Sequence, residues 1–251
     1  MTAVPTKSAP APLPIDEVLA TLAHELRGPL NAIVLALDLQ SRDGDPAARR
    51  ALTMAAHQAQ RAVRIIEDLF DLCAGSRGGL SLCKEVVELA AVVTAATDAT
   101  AHLLAARRHR LTVSLPAEPV FLVADPLRLE QVLMNLLSNA AKFTEPGGDI
   151  RLSAEVKGVQ VVLRVRDNGP GIPPELAPRV FDRFWQGPGQ AGKAVRGLGL
   201  GLALVKSLVE LHGGSVAAHS DGPGAGAEFI VCLPICPRDR RTSPPRRPGS
   251  V

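Results

Sequence analysis

The chain has 251 residues, 46% of them hydrophobic, and a formal net charge of +3, enough length to bury a core in one or two domains. The positive sign belongs to the last fifteen residues, where Arg238, Arg240, Arg241, Arg246 and Arg247 face only Asp239; that segment carries +4 and residues 1–236 carry −1. A body without basic bias argues against nucleic-acid binding, no apolar run reaches the roughly 18 residues of a membrane span, and no signal-peptide pattern opens the chain.

Residues 1–14, rich in Ala, Pro, Thr and Ser, have little to bury and are expected to be disordered. Apolar residues then recur at Ile15, Val18, Leu19, Leu22, Leu26, Leu30, Ile33 and Leu37, one stripe of a helix running from about residue 14 to Ser41. His24 falls on the opposite, solvent-facing side. A surface histidine is ordinary, but Glu25 follows directly and can hold the ring in one tautomer. Gly28-Pro29 interrupts the hydrogen-bond ladder and predicts a kink. The turn Arg42–Pro46 leads into a second helix ending near Ala74, with a stripe at Leu52, Ala55, Ala59, Val63, Ile66, Phe70 and Cys73. One such hairpin cannot cover both stripes; two copies forming a four-helix bundle can. A homodimer through residues 15–74 is therefore expected.

From Leu80 the pattern becomes alternating strands and helices. Strands are predicted at Leu80–Val87, Arg110–Leu115, Val120–Val123, Ile150–Val156, Val159–Val165, Ser215–Ala218 and Glu228–Pro234. Helices are predicted from Leu89 to about Arg108, from Pro126 to Phe143 with Asp125 as N-cap, and over Leu200–His212. The sum is an α+β layer of sheet and helices. The domains expected are a disordered arm (1–14), the histidine-bearing hairpin (15–79), an α+β domain (80–236) and a disordered Arg/Pro-rich tail (237–251). Cys73, Cys83, Cys232 and Cys236 lack metal-site spacing and read as reduced thiols of a cytoplasmic protein.

Three further stretches carry chemistry. On helix 126–143, Leu129, Leu133, Leu136 and Ala140 share one side while Asn135, Asn139 and Lys142 share the other. Amide oxygens suit a hard cation such as Mg²⁺, and an ammonium suits a phosphate; a plain solvent-facing side would look the same. Asp167-Asn168-Gly169-Pro170-Gly171-Ile172 ends a strand with a carboxylate able to accept from an exocyclic amine, though turns commonly have this composition. Arg196-Gly197-Leu198-Gly199-Leu200-Gly201 precedes a helix whose N-terminus offers donors to a polyphosphate. The glycine-rich Gln186–Val195 before it reads as a mobile lid.

Together these residues are similar to the boxes of sensor histidine kinases. His24-Glu25-Leu26-Arg27-Gly28-Pro29 resembles the H box, Asn135–Thr144 the N box, Asp167–Ile172 the G1 box, Val180–Trp185 the F box and Gly197–Leu202 the G2 box. The resemblance implies a dimeric helical hairpin followed by an α/β sandwich ATP-binding domain of the Bergerat (GHKL) type. It implies an ATP-dependent protein histidine kinase that autophosphorylates on His24 and passes the phosphoryl group to an aspartate of a response regulator receiver domain. A catalytically silent nucleotide-binding scaffold is the alternative. By the same resemblance, Glu25 orients the His24 ring, Asn135 and Asn139 hold Mg²⁺ and phosphate oxygens, and Lys142 contacts phosphate. Phe143 lines the nucleotide pocket, Asp167 binds the adenine amine, and Gly169, Gly171 and Ile172 shape the pocket. Arg196, Gly197, Leu198, Gly199, Leu200 and Gly201 accommodate the phosphates, while Phe181 and Phe184 anchor the lid. Gly28 stands where many relatives have Thr or Asn, which argues against phosphatase activity. Ala227 stands where many have Thr, a loss expected to be tolerated. With no sensory domain in view, input is expected through a separate sensory protein, through the N-terminal arm, or from sequence outside this chain.

Overall fold

The computed structural model of the chain describes residues 26, 28–34, 55, 59, 62, 81–185 and 199–236. They fall into two compact units, one holding the described residues up to 62 and the other the rest. In the first, Leu26 and residues 28–34 are helical, so Gly28-Pro29 lies within helical backbone, where a proline both lacks a donor and crowds the carbonyl four residues back. Leu30 and Val34 are 53% and 58% exposed in the single chain. On the second predicted stripe Ala55 is buried and Ala59 half-buried, both helical. The remaining expectations for the hairpin, its turn and both terminal arms lie outside the described residues.

The second unit runs β1 (Glu85–Glu88), α1 (Leu89–Ala106), β2 (Arg110–Ser114), β3 (Phe121–Ala124), α2 (Pro126–Phe143), β4 (Asp149–Lys157), β5 (Gln160–Asp167), a 3-10 turn (Ala177–Arg179), α3 (Gly201–Leu211), β6 (Ser215–His219) and β7 (Glu228–Pro234). Five strands form one sheet in the order β2-β4-β5-β7-β6, with β2 parallel to β4 and the other neighbours antiparallel. The α2 helix packs on β4 and β5, α3 on β6, and both α1 and α3 on α2. The result is the two-layer α/β sandwich expected.

Period-two alternation decides which sheet face is dry. Ile150 and Leu152 of β4, Val161, Leu163 and Val165 of β5, and Phe229, Val231 and Leu233 of β7 are buried. Their registers Leu152↔Val165, Leu163↔Val231 and Val165↔Phe229 bring them onto one face. Against it α2 lays Leu129, Val132, Leu133, Leu136, Leu137, Ala140 and Ala141. Asp125 caps α2 as expected, its side chain accepting from the Arg128 N–H at 3.2 Å, with Pro126 following.

Three details differ from expectation. β1 begins at Glu85, not Leu80, because its partner among the described residues is the four-residue β3, with Glu85↔Ala124 and Glu88↔Phe121 as the outer pairs. The Cys83 N–H instead goes to the Asp125 carboxylate at 3.0 Å. The β4–β5 turn is Gly158-Val159, one residue later than predicted, with Gly158 at φ 60°, the left-handed geometry that glycine permits in a two-residue hairpin. Finally, α1 is long and apolar enough to cross a membrane by length and composition, which corrects the expectation that no segment is. Here it packs against α2 and β1 with Leu89, Val92, Val93, Ala96, Thr100 and Leu104 buried.

Candidate functional site

On α2 the apolar side is buried as expected, Asn135 and Asn139 are half-buried, and Lys142 and Phe143 are exposed at the C-terminal end. The Lys142 ammonium lies 5.2 Å from the Phe143 ring centroid. Asn135 has a buried Nδ2 with no hydrogen-bond partner, a costly condition for an amide unless the site serves a ligand. Its Oδ1 lies 3.4 Å from where a Cβ on Gly201 would sit, so the asparagine abuts the start of α3. The cap of α3, Leu200, makes no side-chain bond, and the first turn carries no acidic residue. Its leading N–H groups therefore have no side-chain cap, a helix start that suits an anion.

Eight residues further along α2, about 12 Å by helical rise, the chain meets the loop after β5. Gly169 passes so close that a Cβ there would stand 3.3 Å from the Phe143 carbonyl oxygen and 2.8 Å from Asp167 Oδ1. Asp167 is only 6% exposed. Its Oδ1 accepts the Gly169 N–H at 2.8 Å and the Ala227 N–H at 3.4 Å. Among the described residues nothing donates to Oδ2. Burial raises the Asp167 pKa above the usual carboxylate range, and the bonds from Gly169 and Ala227 oppose that shift. The Asp167 N–H also donates to the Ala227 carbonyl at 2.9 Å, so position 227 serves through its backbone and alanine suffices for that.

A second loop, Ser220–Ala227, clasps the first. The Ser220 hydroxyl receives the Ile172 N–H at 3.0 Å and donates to the Gly226 carbonyl at 2.6 Å. The Gly226 N–H reaches the Gly169 carbonyl at 3.1 Å. A Cβ on Gly171 would lie 2.1 Å from the Gly222 carbonyl oxygen, and one on Gly226 2.0 Å from that of Asp167, both at positive φ. Glycine is required at both positions.

Phe184 and Gly199 form the third element. Phe184 sits at φ 60° and its N–H donates to the Gly199 carbonyl at 3.0 Å. Gly199 is at φ 68°, with the Trp185 carbonyl oxygen 2.4 Å from a hypothetical Cβ. Phe181, earlier in the same stretch, meets Phe229 edge to face at 6.3 Å. The structure thus brings Asn135 to Gly201, Phe143 to Gly169 and Asp167, and Phe184 to Gly199. His24, Glu25, Arg196, Gly197, Leu198 and the predicted lid lie outside the described residues.

Ser220, Gly222 and Gly226 were not singled out as site residues. The signal was the run Ser220-Asp221-Gly222-Pro223-Gly224-Ala225-Gly226, which reads as a turn until its partner loop is known. Among the described residues no three His, Cys, Asp or Glu cluster as a metal site. The donor set that fits a divalent cation is the amide pair Asn135 and Asn139, whose oxygens are ligands of the kind Mg²⁺ takes beside phosphates; the unpartnered Asn135 Nδ2 is a donor and suits an acceptor such as a phosphate oxygen.

Comparison with known proteins agrees with this geometry. The "His Kinase A (phospho-acceptor) domain" family matches residues 15–73 and the "Histidine kinase-, DNA gyrase B-, and HSP90-like ATPase" family matches residues 124–237. The chain is 38% identical over 225 residues to the sensor protein KdpD of Escherichia coli strain K12, covering 87% of this chain and 24% of KdpD. It is 38% identical over 224 residues to the probable sensor histidine kinase TcrY of Mycobacterium tuberculosis, covering 88% and 46%. Its fold is similar to the Acinetobacter baumannii histidine kinase AdeS, with a TM-score of 0.62 and 26% identity over 84% of this chain and 98% of that one. The chain spans between about a quarter and about half of these two curated relatives. A phosphoacceptor region followed by this ATPase fold, in one polypeptide, places the chain in the sensor histidine kinase family.

Proposed function

We propose that this chain binds ATP between α2, the Asp167–Ile172 loop and the start of α3, and that it transfers the γ-phosphoryl group to His24. The observation that carries the reading is the buried Asp167 carboxylate. Its Oδ1 is held by two backbone donors, and its Oδ2 is left without a donor among the described residues. A purine amine supplies the donor this oxygen lacks. Phe143 lies beside the base, with Gly169, Gly171 and Ile172 shaping its pocket. The phosphates extend along α2 from Lys142, at its C-terminal end, toward the N-terminus of α3, where Gly199, Leu200 and Gly201 receive them; Arg196, Gly197 and Leu198 share that role by the resemblance. Phe184, tied to Gly199, anchors the lid. Asn135 and Asn139 would hold Mg²⁺, which when bound neutralises phosphate charge and polarises the γ-phosphorus.

Transfer needs alignment and charge neutralisation more than covalent assistance. The lone pair of a neutral His24 nitrogen forms the N–P bond as the β,γ-bridging oxygen departs on ADP with its electron pair. Glu25 holds the other ring nitrogen and balances the charge that develops there. The phosphohistidine then passes the group to a receiver-domain aspartate of a response regulator, freeing the ring. Two chains pair through residues 15–74. Leu30 and Val34, both more than half exposed in one chain, belong at or beside that seam. Gly28, with no side chain to hold a water, argues against phosphatase activity.

Incubation of the full chain with γ-labelled ATP tests this. The wild type should gain acid-labile, alkali-stable label, and His24→Ala should gain none while still binding ATP. Undiminished label in His24→Ala removes the assignment.

A further inference from the structure

The last turn of α2 is gripped from outside the helix. A helix leaves its final carbonyls without internal partners, and here a turn after α1 supplies them. Arg107 Nη1 donates to the Ala141 carbonyl at 2.7 Å and to the Lys142 carbonyl at 2.5 Å. His109 Nε2 lies 3.0 Å from the Ala141 carbonyl, and since a carbonyl only accepts, that nitrogen carries the proton. The grip is reciprocal. The Gly147 N–H donates to the Arg107 carbonyl at 2.9 Å and the Arg110 N–H to the Gly148 carbonyl at 3.0 Å. Arg108, at φ 57°, adopts a conformation that non-glycine residues rarely take, so the turn is held in shape by these bonds.

What the grip holds matters for the site. Lys142 and Phe143 follow Ala141 directly, and the Phe143 carbonyl oxygen lies so near Gly169 that a Cβ added there would stand 3.3 Å from it. The last turn of α2 is thus set between the Arg107 cation on one side and the Asp167–Gly169 loop on the other. A guanidinium at a helix C-terminus is favoured by the helix dipole, and here Nη1 alone, with its two N–H groups, reaches both carbonyls.

We infer that Arg107 is a positioning residue for nucleotide binding: by fixing the Ala141 and Lys142 carbonyls it sets where Lys142 and Phe143 stand. Arg107 touches no nucleotide itself. This rests on the ATP-binding reading above.

The test is ADP binding to the full chain without Mg²⁺, by calorimetry, for wild type, Arg107→Ala and Arg107→Lys, with the melting temperature of each unliganded protein. Arg107→Ala should weaken ADP binding about 5- to 20-fold, and Arg107→Lys, which keeps a cation within reach of the carbonyls, should recover most of it. The two variants should melt close together, so that affinity and melting temperature separate. Equal affinity in Arg107→Ala and wild type overturns the inference. So does a loss that tracks the melting temperature and that lysine does not rescue. A wild type that fails to bind ADP overturns the ATP reading together with this one; normal wild-type binding with an unaffected Arg107→Ala removes this one alone.

Discussion

Two aspartates at the rim of the sandwich are buried almost equally, Asp125 at 7% exposure and Asp167 at 6%, yet their surroundings differ. Both oxygens of Asp125 are claimed, Oδ1 by the Arg128 N–H and Oδ2 by the Cys83 N–H. Its own N–H donates to His212 Nε2 at 3.0 Å. That bond requires a lone pair on Nε2, so the proton sits on Nδ1 and is given to the Leu208 carbonyl at 2.8 Å. Lys84 completes the region by donating to the Leu211 carbonyl at 2.8 Å. This end of the α2–α3 pair is satisfied within the chain. Asp167, by contrast, keeps one oxygen without a protein donor among the described residues, and the same helices present the unpartnered Asn135 amide. Completed polar networks stabilise and incomplete ones wait for a ligand. One end of the domain is therefore structural and the other is a binding end.

The sharpest way to break this contrast is Gly226→Ala. Its Cβ would overlap the Asp167 carbonyl oxygen at a positive φ, so we expect a loss of roughly 2–5 kcal/mol of stability along with nucleotide binding. Denaturant melts and an ATP titration check both. Asp167→Asn should separate the two effects. It should cost on the order of 100-fold or more in ATP affinity, since a charged acceptor is removed from a buried pairing. The unliganded protein should be no less stable at neutral pH. The raised pKa means that the folded state favours the protonated carboxyl; stability is highest below the usual carboxylate range and declines as pH rises through the folded value, and asparagine removes that decline.

Asp125→Ala should do the opposite, lowering stability by about 1–2 kcal/mol through the lost cap and the stranded Cys83 N–H, with ATP affinity within about twofold of wild type. The smallest effect expected is on the pH profile of His212. Burial chiefly lowers its pKa, helped by Lys84 and opposed by the Leu208 carbonyl and by Asp125. A base with a depressed folded pKa contributes fully above its ordinary value of about 6.5 and loses that contribution as pH falls below it. His212→Gln should flatten the acid side of the stability curve relative to wild type; an unchanged slope would remove His212 from the account.

Much of this was legible in the sequence because it is local. The alternation of β4 and β5, the Asp125-Pro126 start of α2 and the burial of Leu129, Leu133, Leu136 and Ala140 follow from spacing alone. β1 was read too long because its length is set by β3, a partner more than thirty residues away. Asp125 was recognised as a cap, but its bonds to Cys83 and His212 span 42 and 87 positions and leave no local trace. The Ser220 clasp was missed for the same reason, its bond to Ile172 crossing 48 positions. Motif order points to Asp167 and Asn135, while the property that sets Asp167 apart from Asp125, an oxygen with no donor among the described residues, emerges only once the loops are folded together.

The most direct test of the central claim is a binding comparison of ADP with inosine diphosphate, whose purine carries an oxygen in place of the exocyclic amine. If the open oxygen of Asp167 reads that amine, wild-type protein should bind ADP on the order of 100-fold or more tightly than the inosine nucleotide, and Asp167→Asn should erase most of the difference. Equal affinity of the wild type for the two nucleotides would contradict the account.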